Sequence, residues 1–406
     1  MENYIGILGI IVLLGIAFLL SNNKTLINKN IIFWGLVLQV SFAIIILKTS
    51  FGKALFFYFN ILIVKLISFA DAGSDFLFTS FIAEVGYDQA LINFAFRALP
   101  VIIFFSSLIA ATYHIGIIQI IIKNIAKVME KTMKTSGAET LSISANIFVG
   151  QTEAPILIRP YISKMTNSEL MTVMVGGFST VAGSVMALYV TWLNNIPEIA
   201  GHLLAASVMS APAALMVAKI IYPETKSYQT MHSNSIKLKS KDNNLVDAIG
   251  RGATEGLKLA ANVAAMLIAF ISLVAMINFI LGLLGTSMQE MLGLFFRPLA
   301  WTMGIPWADA KIVGTLMGEK IVLTELIAFR DLSDYVSNNT ISKRSIIISS
   351  YALCGFANFG SIGIQLGGIG SMAPKRKKDL SKLVFKAMLG GAIASWLTAS
   401  IVGIII

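Results

Sequence analysis

Charge is scarce in this chain: only 13% of its residues are Asp, Glu, Lys or Arg. A soluble domain carries about 25%, so an ordinary soluble globular fold is excluded, and so is a charge-rich disordered chain. A single cysteine, Cys354, excludes an internal disulfide framework. The three histidines, His114, His202 and His232, are isolated and form no metal constellation. No HExxH, CxxC, Walker A or GxSxG pattern occurs, so the sequence signals of a zinc hydrolase, a redox dithiol, a nucleotide-driven pump and a serine hydrolase are all missing.

What fills the chain is apolar: 56% of 406 residues are hydrophobic, and the mean hydropathy is +0.79. Runs near membrane length occupy 5–20, 31–47, about 98–118, 170–193, 203–221, 259–285, 345–374 and 387–406. A spanning helix needs roughly 20 apolar residues, so eight spanning helices are expected. The first run lacks a basic flank and does not read as a cleaved signal peptide. The net charge of +10 resembles that of a nucleic-acid binder, but the basic residues sit in short segments between apolar runs, so no nucleic-acid partner is expected. The segments 21–30, 119–138, 223–251 and 373–383 carry Lys24, Lys29, Lys123, Lys127, Lys131, Lys134, Lys226, Lys237, Lys239, Lys241, Arg251, Lys375, Arg376, Lys377, Lys378 and Lys382. Placing them in the cytoplasm puts both termini outside, against the exceptions Lys48, Lys53, Lys343 and Arg344. The stretch 224–246 is the candidate soluble linker. Residues 54–70, with Lys65 and many aromatics, could lie flat at the interface.

Two stretches do not fit a plain bundle. Residues 139–165 contain GQTEAP at Gly150–Pro155, and about 310–332 contain GEKIVLTE at Gly318–Glu325. Both are apolar yet carry charge and helix breakers, as expected of hairpins that enter the bilayer and turn back. Irregular backbone is tolerated there only against protein or a water-filled cavity. Each stretch precedes a long uncharged helix and then a second helix. This order suggests an inverted repeat with interrupted helices near the midplane, a secondary-transporter pattern. The expected fold is therefore an all-α polytopic membrane protein of eight transmembrane helices and two re-entrant hairpins. Its divisions are 1–80 (N-terminal scaffold), 81–138 (third span and basic amphipathic segment), 139–222 (first hairpin and transport half), 223–309 (loop, scaffold helix and connection) and 310–406 (second hairpin and transport half).

An acidic residue at the bilayer centre costs at least about 2.5–3.5 kcal/mol on insertion scales. Glu153 and Glu325 therefore either pair structurally, with Arg159 or Lys320 as candidates, or face a polar cavity and bind a hydroxylated solute. Cys354–Ile362, CGFANFGSI, lies in a glycine-rich uncharged run. It is either a close-packing surface or an unwound helix presenting Asn358 and Ser361, which are three apart and share a face. Asn146, four residues before Gly150, and Thr180–Val181 before Gly183 supply oxygens suited to Na⁺; Asn146 could equally be a helix cap.

At GQTEAP, GEKIVLTE, CGFANFGSI and Gly256–Phe270 (GLKLAANVAAMLIAF) the sequence resembles the bacterial branch of the concentrative nucleoside transporter family, over roughly residues 80–406. The resemblance implies a homotrimer in the bacterial inner membrane that imports nucleosides, such as uridine, cytidine or adenosine, on a cation gradient. It implies that Gln151, Thr152 and Glu153 of the first hairpin bind substrate, with Val185 lining the base pocket. Glu325 would contact ribose, Phe356 would face the base, and Asn358 and Ser361 would hold the ribose hydroxyls. Asn146, Val149, Thr180 and Val181 would form the Na⁺ site, the valines through carbonyls. Two positions depart from the family: Thr324 stands where Asn is frequent, and Thr180 where Ser is frequent.

Nothing basic is positioned to grip a phosphate, so nucleotides are not the expected cargo. The chain is not expected to be an enzyme or to carry an organic cofactor, since no metal-binding Asp cluster or interfacial His base is visible. Proton coupling remains the alternative to Na⁺, and another small polar solute the alternative substrate. Two pocket carboxylates argue against an anion.

Overall fold

The computed structural model describes residues 2–78, 95–96, 99–226 and 242–406. His232, Lys237, Lys239, Lys241, most of the candidate linker and the start of the 81–138 segment lie outside the described residues. Every regular element among the described residues is helical. The N-terminal helices are α1 (Glu2–Leu19), α2 (Lys29–Lys48), α3 (Ser50–Phe78), α4 (Leu99–Ile115) and α5 (Ile117–Met133). Next come α6 (Gly137–Asn146), α7 (Ala154–Leu157), α8 (Arg159–Ile162), α9 (Asn167–Ser179), α10 (Gly183–Trp192) and α11 (Ile199–Ile221). Then come α12 (Leu245–Gly282) and α13 (Met288–Thr302), followed by α14 (Ala310–Val322), α15 (Glu325–Ser337), α16 (Lys343–Leu353), α17 (Phe359–Met372) and α18 (Lys377–Ile405).

Among the described residues, six helices are long and apolar enough to cross a membrane, counting α9–α10 as one, and α1 is a shorter apolar helix. The chain is thus an all-α polytopic membrane protein. Three expectations are refined. The third span ends at Ile115, where Gly116 takes φ 102° and α5 leaves at 75° to α4. The helix expected at 259–285 begins far earlier and runs for 38 residues. The 54–70 run is the middle of a longer helix of 29 residues, and only 17% of its most apolar stretch is buried.

Burial separates centre from perimeter. In the most apolar 18-residue stretch, 89% of α11 is buried but only 11% of α12 and 17% of α3. α12 packs closely on α4 because Gly252 and Gly256 lack side chains: a Cβ on either would come within 2.8 Å of Ser106 or Ile103.

The order α6, α7–α8, broken α9–α10, α11 recurs as α14, α15, broken α16–α17, α18. Both long uncharged runs are interrupted. The first opens at Thr180–Ala182 and the second at Cys354–Asn358. Capping fixes these ends. Ser136 with Glu139, and Thr166 with Glu169, form capping boxes at α6 and α9. Asn358 caps α17 by accepting from the Ser361 amide at 2.8 Å. Gly355, at φ 136° and 2.8 Å from the Phe178 carbonyl at its would-be Cβ, lets the second break lie against the end of α9.

The ends of the basic segments gather on one face. Asn22 N–H donates to Ile221 O, Asn30 Nδ2 to Thr132 O, Ser168 Oγ to Tyr222 O, and Arg376 Nη2 to Asn167 Oδ1.

Candidate functional site

The two hairpins and the two helix breaks meet. At the first hairpin's turn, Phe148 O accepts from the Gly183 amide at 3.1 Å, tying the turn to the start of α10. Asn146 ends α6 and is fully buried; its Nδ2 donates to Ser142 O. Its Oδ1 is buried without a hydrogen-bond partner among the described residues, although leaving a buried acceptor unsatisfied costs about 1–3 kcal/mol. Gly176 makes the approach possible, since a Cβ there would lie 2.7 Å from Ile143 and 3.5 Å from Asn146 Nδ2. Val149 is buried in the turn, Thr180 is the extended residue ending α9, and Val181 follows it in the break. Thr180 Oγ1 donates to Gly176 O, which leaves its lone pairs unspent. An orphaned amide oxygen, a hydroxyl and carbonyls of irregular backbone are the hard oxygen donors that suit a small monovalent cation.

The other group of expected residues is joined by hydrogen bonds within the second half and between the halves. Gln151 Nε2 donates to Ser361 Oγ at 3.2 Å. Asn358 Nδ2 donates to Glu325 Oε2 at 2.7 Å. Glu325 is the first residue of α15, and its Oε1 accepts from Tyr189 Oη at 3.1 Å. The pairing of Glu325 with Lys320 does not form. Lys320 is fully buried and instead donates to Ala352 O at 2.8 Å and Ser395 Oγ at 2.7 Å. It satisfies a carbonyl freed where α16 breaks, at the negative end of that helix's dipole. No ion pair between Glu153 and Arg159 occurs among the described residues. Glu153 Oε2 accepts from its own Gly150 amide, and the residue is exposed. Thr152 lies against α17, with its Cγ2 3.0 Å from where Gly368 would carry a Cβ. Val185 is buried in α10, and Phe356 is half-buried in the second break.

Two residues join this group that sequence reasoning missed. Tyr189 stacks on Phe329 with ring centroids 4.1 Å apart and points its hydroxyl at Glu325. A tyrosine in an uncharged helix needs a partner for its polar tip, and that was the available signal. Gln365, fully buried on α17, donates from Nε2 to Gln151 Oε1 at 3.1 Å and to Met174 O at 3.0 Å.

The chemistry of this group is neutral amides and hydroxyls around one carboxylate. It suits a solute with several hydroxyls and a polar flat ring, since Glu325 can accept from a diol through charge-assisted bonds.

Models of the Na⁺-dependent nucleoside transporter N-terminus and C-terminus match residues 8–81 and 202–403, and a nucleoside-recognition gate model matches 95–195. The chain is 42% identical to the uncharacterized transporter YutK of Bacillus subtilis, over 99% of both chains. It is 40% identical to sodium/nucleoside cotransporter 1 of Rattus norvegicus over 100% of this chain, spanning 64% of that longer protein. Its fold is similar to CNTnw in an inward-facing substrate-bound state, with TM-score 0.91, 40% identity, and 100% of this chain and 98% of that one covered. It is equally similar to a doubly substituted CNTnw in an outward-facing state, with TM-score 0.92, 39% identity, and 100% and 97% covered. Likeness of this extent, carried by models that together span most of the chain, shows that the chain belongs to the family of Na⁺-dependent nucleoside transporters.

Proposed function

We propose that this protein is a secondary active symporter that imports nucleosides such as uridine, cytidine or adenosine with Na⁺, by alternating access. The observation that carries the reading is the network Gln151–Ser361 and Asn358–Glu325, which joins the first hairpin to the second helix break and the second hairpin. In this reading Glu325, Asn358 and Ser361 hold the ribose hydroxyls. Phe356 packs on the base, Val185 lines its pocket, Gln151 meets its polar edge, and Thr152 and Glu153 are the first hairpin's other substrate-binding residues. Asn146, Val149, Thr180 and Val181 bind Na⁺. The orphaned Asn146 Oδ1 supports Na⁺ over H⁺, since an amide oxygen ligates a cation but does not carry a proton at neutral pH. An inward Na⁺ gains about 2.3 kcal/mol per 100 mV of membrane potential, enough to drive accumulation without ATP. The protein is then a carrier and not an enzyme.

The same reading has eight spanning helices and two re-entrant hairpins, with both termini outside a bacterial inner membrane. The gathering of the basic segments' ends on one face supports that orientation. The exposed apolar flanks of α3 and α12 offer surface for lipid and for the neighbours of a homotrimer. The deciding experiment is uptake of radiolabelled uridine into proteoliposomes. Uptake should rise with an inward Na⁺ gradient at constant pH; uptake driven only by a pH gradient would overturn the Na⁺ assignment. Within the pocket, Phe356→Ala should weaken all nucleosides and Gln151→Ala should change base preference.

A further inference from the structure

We infer that Gln365 is a positioning residue that fixes the hydrogen-bond polarity of the substrate site through Gln151 and Ser361. The inference rests on the site reading above and deepens it.

The Met174 carbonyl can only accept, so the end of the Gln365 amide at 3.0 Å from it must be the NH₂. The same Nε2 reaches the Gln151 amide at 3.1 Å, so Gln151 must turn its oxygen toward it. Gln151 Nε2 then faces Ser361 Oγ at 3.2 Å and donates to it. The serine oxygen is now an acceptor, which leaves its own proton for the substrate. A backbone carbonyl on α9 thus dictates, three bonds away, that Ser361 presents a donor to the solute. Asn358 is locked the same way, because its Oδ1 accepts from the Ser361 amide and its Nδ2 must therefore face Glu325.

The surroundings fit an orienting role. Gln365 is 0% exposed, with Gln151 at 7% and Ser361 at 3%, so water does not compete for these bonds. Gly177 makes the room: a Cβ there would lie 2.6 Å from Gln365 Nε2 and 3.0 Å from Gln151 Cβ. Gln365 Oε1 is left buried without a partner among the described residues. The NH₂ serves both acceptors, and the unspent oxygen is the cost of that orientation. An apolar side chain of similar size would fill the space without that cost, so packing alone does not account for an amide here.

The test reverses the polarity. In Gln365→Glu the side chain offers Gln151 only an oxygen, whether it is ionised or gives its one proton to Met174 O. Gln151 must then turn its NH₂ toward residue 365 and its oxygen toward Ser361, which spends its proton on Gln151. Calorimetric binding at saturating Na⁺ would compare uridine with its 2′- and 3′-fluoro-deoxy analogues on the full chain. Fluorine accepts but cannot donate. One analogue, fluorinated where Ser361 meets the sugar, should lose about fivefold to tenfold relative to uridine, the factor of one hydrogen bond; the other ratio should hold. Unchanged ratios for both analogues in a folded variant would overturn the role. Should Gln365→Glu fail to fold, Gln365→Leu removes the orienting donor without adding an acceptor, and the same ratio should move the same way by a smaller factor; no movement overturns the inference. Ser361→Ala separates the two readings. It should level the analogue ratios, and if it leaves uridine and both analogues as in wild type, the ribose assignment fails and the role of Gln365 falls with it.

Discussion

Glu325 is the residue that most needs a reason. It is 3% exposed, heads a helix inside an apolar segment, and among the described residues receives hydrogen bonds from Tyr189 and Asn358 but no ion pair. Each carboxylate oxygen keeps room for a further donor, which a ribose diol supplies. Glu325→Gln keeps the shape and removes the charge. It should cost roughly 1.5–3 kcal/mol of nucleoside binding, the range for hydrogen bonds to charged groups, and it should narrow the preference for ribonucleosides over deoxyribonucleosides in uptake competition. An unchanged preference in a well-folded variant would remove Glu325 from the sugar. Asn146 carries the matching prediction for the cation. Asn146→Ala should raise the Na⁺ concentration needed for half-maximal uptake more than it weakens nucleoside binding at saturating Na⁺. The sequence picked out Glu325 and Asn146 because charge and amides stand out in apolar runs. It missed Tyr189 and Gln365, because their significance lies in partners far away in the chain, Glu325 and Gln151.

At the scale of elements, each half relies on a break that other elements hold open. Lys320 of α14 bonds the Ala352 carbonyl at the end of α16, so the second hairpin supports the break in the following helix. At the base of the first hairpin, Lys219 of α11 pairs with Glu139 of α6 at 2.7 Å and also takes Ser168 Oγ at 3.0 Å, with both charges buried. Stranding one member of a buried pair costs about 3–5 kcal/mol. Glu139→Gln should approach the lower end, since Glu224 remains 3.7 Å from Lys219. The double variant Glu139→Gln with Lys219→Met should recover part of the loss in thermal unfolding. No recovery would mean the charges are not coupled. The hairpins were legible as apolar stretches with breakers, and the repeat as an order of elements. The second break was legible as the glycine-rich motif Cys354–Ile362, but its bounds were not, because several glycines there weaken the helix and only neighbouring carbonyls and the Asn358 cap choose where it opens.

At the scale of the whole molecule, charge sorts to the two faces. On the face away from the gathered basic segments, Asp309 accepts from the Ser342 and Ser345 hydroxyls at 2.7 and 2.6 Å and from the Ser342 amide, joining the start of α14 to the start of α16. Partial burial pushes its carboxyl up, but the hydrogen bonds from Ser345 and Ser342 outweigh it and hold the group below the usual range. The folded state therefore binds this proton less readily than the unfolded chain. The contribution is complete above about pH 4, the ordinary aspartate value, and is lost as pH falls through the lower folded value. Asp309→Asn should lower the melting temperature at neutral pH and flatten the acid limb of its profile, so that variant and wild type converge in acid; an unaltered acid limb would exclude the linkage. On this same face Arg344, an exception to the charge rule, donates from Nε to Gly304 O. It acts as a tie between elements, which explains why it does not follow the topology signal.

By itself the sequence determined the solvent and the class. So few charges and so many apolar runs can only be buried in lipid, and breakers beside buried acids mark where the chain must depart from plain helices. Its motifs also named the residues of both candidate sites except Tyr189 and Gln365. Only the tertiary structure decided which of those residues touch, that Lys320 serves a carbonyl and not Glu325, and which way the amides of Gln151 and Asn358 point. The reason is physical: hydrogen-bond direction is set by the partner with no choice, a backbone carbonyl or amide. In this fold the fixed partner for Gln151, the Met174 carbonyl reached through Gln365, lies on another element. For Asn358 it is the Ser361 amide three residues along, but the Glu325 carboxylate that the locked amide then meets comes from the second hairpin.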